Sequence, residues 1–335
     1  NDYQMRPLMI SKKVVSSSGE VEDDAEFTMQ IFVNGEPLKE HPYMIQESDV
    51  SDGSTMLPGG GLLSQGDRQD ISLAEDGTSL LRQMRGSIIR PGGSEEVPEI
   101  PIHKTTTDEE GKIKLKNGQT AILIDAGKLG DEFRVVEEKI DGYLQIAPTG
   151  EGEGTFAGDA AEVVFVNARE NEGRNLYISK IYEAQNMLYG DIAGEYVEEL
   201  KEANTKEEVP DTAERGSVEV TLTINGEIYT GPKGDNKNVT VVNQLTGVTS
   251  EKQWNGETFT LDPWSIVIIP IEDDGEIAYT LSESKDDQHQ IIEYQGSWLE
   301  ISQKEPKNDR PAEGTITENP IATITNEVKS VGESS

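Results

Sequence analysis

The chain has 335 residues, 64 acidic and 29 basic, for a formal charge of −35, and no cysteine. That acidic excess argues against nucleic acid and anionic membrane surfaces, which need basic patches. The lack of cysteine excludes disulfides and thiolate metal sites, and no apolar run of about 18 residues occurs, so no transmembrane helix is expected.

In chain order, residues 8–15 (LMISKKVV) read as a first strand: Leu8, Ile10 and Lys12 share one face of a period-2 pattern. A lysine at the inward position is costly unless it is paired or chemically altered. Alternation selects Lys12 over its neighbour Lys13. Residues 27–33 (FTMQIFV) alternate well and stop at Asn34-Gly35, a strong hairpin signal. From about 41 to 110 the pattern is broken by Pro58, a triple glycine at 59–61, Pro91 and Pro98. We read 41–110 as a long insertion where binding can be added, with one helical turn at 79–85. Strands follow at 112–115 and 120–124, then at 133–137, where Phe133, Val135 and Glu137 share a face, with Gly142-Tyr143 closing that strand. The acidic glycine-rich stretch 150–154 reads as a flexible loop. Val163, Phe165 and Asn167 share a face on the last strand of the first unit.

The second half repeats this order. Residues 176–180 (LYISK) place Lys180 as 8–12 place Lys12. A short amphipathic helix with no counterpart in the first half is predicted over 192–203, with Asp191 as its N-cap. Residues 218–224 (VEVTLTI) again run into Asn225-Gly226. Residues 259–261 correspond to 113–115, 265–271 to the strand around Ala121, 279–283 to 133–137, and 322–326 to 163–167. Each half therefore carries a lysine on its first strand, a glutamate on a late strand (Glu137, Glu283) and an asparagine on its last (Asn167, Asn326). Equal frameworks with unequal loops make this a tandem duplication of domains, 1–170 and 171–335, joined near 168–175.

A buried lysine, glutamate and asparagine can react. Burial favours the neutral amine and the neutral acid. A neutral amine is a nucleophile, and a protonated carboxyl can polarise the asparagine carbonyl and shuttle protons. The amine attacks, ammonia leaves, and an amide joins the two side chains without an external enzyme, because folding supplies the geometry.

These ordered motifs, L-x-I-S-K, then [FY]-x-[VL]-x-E, then [VA]-x-[FI]-x-N, resemble the Cna-B-type isopeptide domains of Gram-positive pilins and adhesins. The first half is most similar to the streptococcal pilin isopeptide-linkage type. The resemblance implies an all-β fold of two tandem immunoglobulin-like sandwiches, bonds Lys12–Asn167 and Lys180–Asn326, and Glu137 and Glu283 as catalytic acids. It also implies an extracellular, cell-surface protein, a pilus subunit or adhesin stalk linked to other subunits or to the wall by sortase-type chemistry. The family's Tyr-Pro-Lys-Asn polymerisation core has no match; residues 100–104 (IPIHK) come nearest. Glu283 is followed by Ser284-Lys285 where the first half has a later Gly-Tyr.

Other chemistries find little. His41, His103 and His289 lie in predicted loops with no metal-ligand spacing. Clusters such as Glu22-Asp23-Asp24 and Glu272-Asp273-Asp274 read as solvated faces, and Asn238-Val239-Thr240 is a glycosylation sequon by pattern only. No cofactor and no turnover activity are expected. The alternative to a mechanical role is an adhesive module that binds a host glycan or matrix protein through 41–110.

Overall fold

The computed structural model describes residues 4–47, 105–170, 173–185, 191–205, 215–305, 310–316 and 319–333. The first repeat contains β1 (Met5–Ser16), β2 (Gly19–Glu20), β3 (Glu26–Val33), β4 (Glu36–Pro37), β5 (Pro42–Glu47), β6 (Thr105–Thr106), β7 (Lys112–Lys116), β8 (Gln119–Lys128), β9 (Glu132–Glu137), β10 (Tyr143–Ala147), β11 (Gly152–Thr155) and β12 (Ala161–Arg169). The second contains β13 (Arg174–Ala184), helix α1 (Ile192–Asn204), β14 (Val218–Ile224), β15 (Glu227–Ile228), β16 (Asn238–Asn243), β17 (Thr249–Gln253), β18 (Phe259–Leu261), β19 (Ser265–Ile271), β20 (Ile277–Glu283), β21 (His289–Tyr294), β22 (Ser297–Lys304), β23 (Glu313–Ile316) and β24 (Ile321–Glu333).

Each repeat pairs a larger sheet with a smaller one. The larger sheets run β10-β12-β1-β8-β5-β6 and β21-β22-β24-β13-β19-β16-β17. Read in this direction, β12, β1, β8 and β5 correspond one by one to β24, β13, β19 and β16. The smaller sheets are built on β3 and β14. Register makes the duplication explicit. Glu137, Val135 and Phe133 of β9 sit opposite Met29, Ile31 and Val33. Glu283, Leu281 and Tyr279 of β20 sit opposite Val220, Leu222 and Ile224. Likewise Leu8 and Ile10 face Leu123 and Ala121, as Leu176 and Ile178 face Ile269 and Val267.

In the second repeat one apolar cluster takes residues from both sheets: Ile178, Val267, Ala322 and Ile324 from the larger, Val220, Leu222 and Leu281 from the smaller. Two sheets sharing one core make a sandwich, so the chain is a tandem all-β, immunoglobulin-like protein. Alternation drives it, since successive side chains leave opposite faces and each buried Leu or Ile contributes roughly 1.5–3 kcal/mol. Cα proximity divides the chain into two compact units: Asn1–Lys13, Asp23–Ile140 and Pro148–Phe165 form one, and Val14–Glu22, Asp141–Ala147 and Val166–Ser335 the other.

The Asn-Gly pairs at 34–35 and 225–226 make the tight hairpins expected. Asn34 and Asn225 have φ of 50° and 52°, and the glycines after them 81° and 79°, the left-handed pair a type I′ turn requires. The helix also forms where predicted, and the Asp191 side chain accepts a hydrogen bond from the Ala193 amide.

Four expectations change. His289, expected in a loop, is the first residue of β21, opposite Ser302. The predicted insertion does not begin at 41: Pro42–Glu47 pairs with β8 across the larger sheet, with Pro42 opposite Thr106 of β6. A proline at the first position of a strand is compatible with such pairing. Residues 48–104, with the helical turn at 79–85 and the IPIHK motif at 100–104, lie outside the described residues, whereas Thr105–Thr106 forms β6. Gly142-Tyr143 does not close a strand; Tyr143 opens β10, which pairs with β12. The 150–154 stretch is not a plain loop. Gly152–Thr155 pairs with β9, and a Cβ at Gly154 would stand 2.6 Å from the Phe133 ring, so glycine lets this edge strand close on the aromatic.

Candidate functional site: a buried Lys, Glu and Asn in each repeat

Lys12 follows Leu8 and Ile10 on the inward face of β1 and is 0% exposed. Its Nζ donates at 2.8 Å to Oε2 of Glu137, whose side chain is 3% exposed. The ammonium also stands 4.0 Å over the Phe27 ring, the first buried side chain of β3. The alternatives point elsewhere: Lys13 is only half-buried, and Glu138 lies at the surface, paired with Lys112 at 2.9 Å. Burial pushes the Lys12 amine down to about 8, against the opposing charge and hydrogen bond of Glu137 and the more distant charge of Asp23. Asn167 is buried on β12, the strand beside β1 in the sheet order. Across from it on β10 is Gln145.

In the second repeat β13 and β24 run parallel, with Lys180 opposite Ile324 and Tyr182 opposite Asn326. Lys180 and Asn326 therefore lie on one face, one diagonal step apart, within reach of a lysine stem. Lys180 is 0% exposed; its Nζ donates to the Ile181 carbonyl at 3.3 Å and lies 4.0 Å from the Tyr182 ring centre. Burial pushes its amine down, opposed by the charges of Glu283 and Asp287.

Glu283 Oε1 accepts from Asn326 Nδ2 at 2.9 Å, and both residues are buried. Burial raises the Glu283 carboxyl; Lys180 and the Asn326 hydrogen bond oppose this, and the Asp287 charge adds to it. Glu283 Oε2 and Asn326 Oδ1 are sealed from solvent with no hydrogen-bond partner among the described residues. Burial thus drives both groups toward the neutral amine and neutral acid that amide formation requires.

The two sites differ in pairing. In the first, Lys12 is bonded to its glutamate; in the second, the glutamate is bonded to its asparagine. The sequence reading missed Phe27 and Tyr182, the rings under the two amines, although Phe27 opens a strand it had placed. It also missed Asp287, which no local pattern ties to Glu283. Among the described residues no group of three or more His, Asp or Glu side chains is arranged so that it could hold a metal ion.

Fold and site together define a tandem β-sandwich protein with a lysine and a glutamate sealed into each core. Residues 6–169 match a family described as a domain of unknown function (DUF7601). No curated protein matched the chain. Among solved structures the chain is similar to the major pilin of Streptococcus pyogenes, at 11% identity over 98% of both chains with a TM-score of 0.20. It is also similar to the shaft pilin SpaA of Lactobacillus rhamnosus GG, at 8% identity over 98% of this chain and 99% of that one, TM-score 0.17.

Proposed function

We propose that the chain is a structural cell-surface protein, a pilus subunit or adhesin stalk, whose two domains (1–170 and 171–335) are each locked by a self-formed isopeptide bond. Lys12 joins Asn167 with Glu137 as the acid, and Lys180 joins Asn326 with Glu283 as the acid. In each step the neutral amine attacks the asparagine Cγ. The Nζ–Cγ bond forms, the Cγ–Nδ2 bond breaks, and one amine proton passes through the glutamate carboxyl to the departing nitrogen, which leaves as ammonia. The chemistry is internal and occurs once; there is no turnover.

The observation that supports this reading is the recurrence, at equivalent registers of two repeats, of a fully buried lysine with a glutamate whose side chain is buried in the same repeat. Burying ionisable groups is costly, and even a buried ion pair such as Lys12–Glu137 is a weak stabiliser, so packing alone gives little reason to bury a lysine and a glutamate in both repeats. As an amide the same atoms lose their charge and tie the first strand of a domain to its last. Like a disulfide, the tie constrains the unfolded chain, without being open to reduction. Tension along the chain would then load a covalent bond, which suits a shaft exposed outside the cell and joined to further subunits or the wall by sortase-type linkage.

Intact mass tests the reading. Each bond removes one ammonia, about 17 Da, so the purified chain should weigh about 34 Da less than its sequence. Glu137→Ala and Glu283→Ala should each restore one step. A chain at full sequence mass would end the proposal.

A further inference from the structure

The turn after Glu283 has no equivalent in the first site. After Glu137, the Glu138 amide bonds the Thr28 carbonyl, just as Ser284 bonds the carbonyl of Glu219. There the likeness stops. In the second repeat Asp287 closes a turn on Ser284 through its amide, at 3.0 Å. Its carboxylate accepts from the Glu219 amide at 3.0 Å and from Gln290 Nε2 at 3.2 Å. Its main-chain carbonyl accepts from Asn326 Nδ2 at 3.4 Å. Next to it, Gln288 Nε2 donates to the Glu283 carbonyl at 3.1 Å.

Asn326 Nδ2 thus lies between two acceptors, Glu283 Oε1 and the Asp287 carbonyl. Turning the amide over would set Oδ1 against that carbonyl, oxygen to oxygen, so the Asp287 turn selects the orientation with nitrogen toward Glu283. In this orientation the glutamate faces the leaving group, while Oδ1 stays in the sealed core. Building on the isopeptide reading above, we propose that Asp287 is a positioning residue of the second site: by pinning its turn to β14 it orients the Asn326 amide so that Glu283 delivers the proton to the departing nitrogen.

The test follows both bonds in one full-length chain. Expression is pulsed and stopped in acid at intervals, and the Lys180–Asn326 and Lys12–Asn167 cross-linked peptides are quantified by mass spectrometry. Asp287→Ala should slow the second bond roughly tenfold or more, as expected when a reacting group loses its orientation, and leave the first unchanged. Asp287→Asn keeps an acceptor for the Glu219 amide and should recover a rate within about threefold of the parent. Gln290→Ala removes one of the two holds on the carboxylate and should slow the second bond about threefold, which keeps the test decisive if Asp287→Ala does not fold. A parent-like rate in Asp287→Ala or Gln290→Ala overturns the proposal. An Asp287→Asn rate as slow as the alanine variant also overturns it, because charge and not position would then be at work. A parent chain lacking both cross-linked peptides would instead refute the isopeptide reading itself.

Discussion

Lys12 and Glu137 form a buried ion pair: Nζ lies 2.8 Å from Oε2, and the two side chains are 0% and 3% exposed. Neither partner has water to fall back on. Glu137→Ala should leave the ammonium uncompensated and, in the isopeptide reading, block the first bond. Breaking one side of such a pair costs about 3–5 kcal/mol, whereas replacing both sides by apolar groups is near neutral. The double variant Lys12→Met/Glu137→Leu should therefore outlast Glu137→Ala in chemical denaturation. Equal midpoints would show that Lys12 escapes to solvent once its partner is gone.

The lowered Lys12 value predicts a pH dependence in a chain that cannot form the first bond, such as Asn167→Ala. Below about 8 the folded and unfolded chains both hold the proton, and the full burial penalty stands. Between about 8 and 10.5 the unfolded chain binds more protons, so stability rises with pH; above 10.5 both amines are neutral and the gain is complete. Relative to Asn167→Ala/Lys12→Met/Glu137→Leu, the Asn167→Ala chain should gain on the order of 3 kcal/mol across that window. Urea denaturation at several pH values measures it. On the isopeptide reading the first-site amide of the parent does not titrate, and this gain should be missing there.

Trp254 is fully buried, stacked on Phe259 at 4.5 Å and met edge-on by Tyr229 at 5.0 Å. Its Nε1 finds no hydrogen-bond partner among the described residues, so its value to the fold is area and packing alone. Trp254→Ala should cost about 3–5 kcal/mol, and Trp254→Phe, which keeps the stack and removes a buried donor, less than about 1.5 kcal/mol. Thermal denaturation in a Lys180→Met background, where the second bond cannot form, compares the two.

At the start of α1, Asp191 accepts from the Ala193 amide at 3.1 Å and also from the Ser330 hydroxyl of β24 at 3.1 Å. Asp191→Ala should destabilise the helix by about 0.5–2 kcal/mol, while Asp191→Asn, still a good cap, should lose only a fraction of that. Hydrogen exchange of the Ala193 and Gly194 amides reads the effect locally.

Much of this architecture was legible in one dimension. Period-2 alternation placed Lys12, Glu137, Lys180 and Glu283 on inward faces, because a strand sends successive side chains to opposite sides and their neighbours were apolar. Asn-Gly marked both hairpins, since few residues tolerate left-handed φ. Among the strands that went unread, β16, β17, β21 and β22 carry polar or mixed faces. β17 reads TSEKQ and is largely exposed; such segments become strands because a neighbouring edge offers hydrogen bonds, not because of their own pattern.

By itself the sequence determined the duplication and which lysine and glutamate of each repeat turn inward, because local sterics set the period of a strand. Only the tertiary structure decided what those groups meet. Lys12 touches its glutamate, whereas Glu283 instead holds Asn326. Phe27 and Tyr182 lie against the amines, and Asp287 closes over one site and not the other. Apart from Tyr182, which shares β13 with Lys180, those groups come from different strands or turns, and only folding brings them within bonding distance.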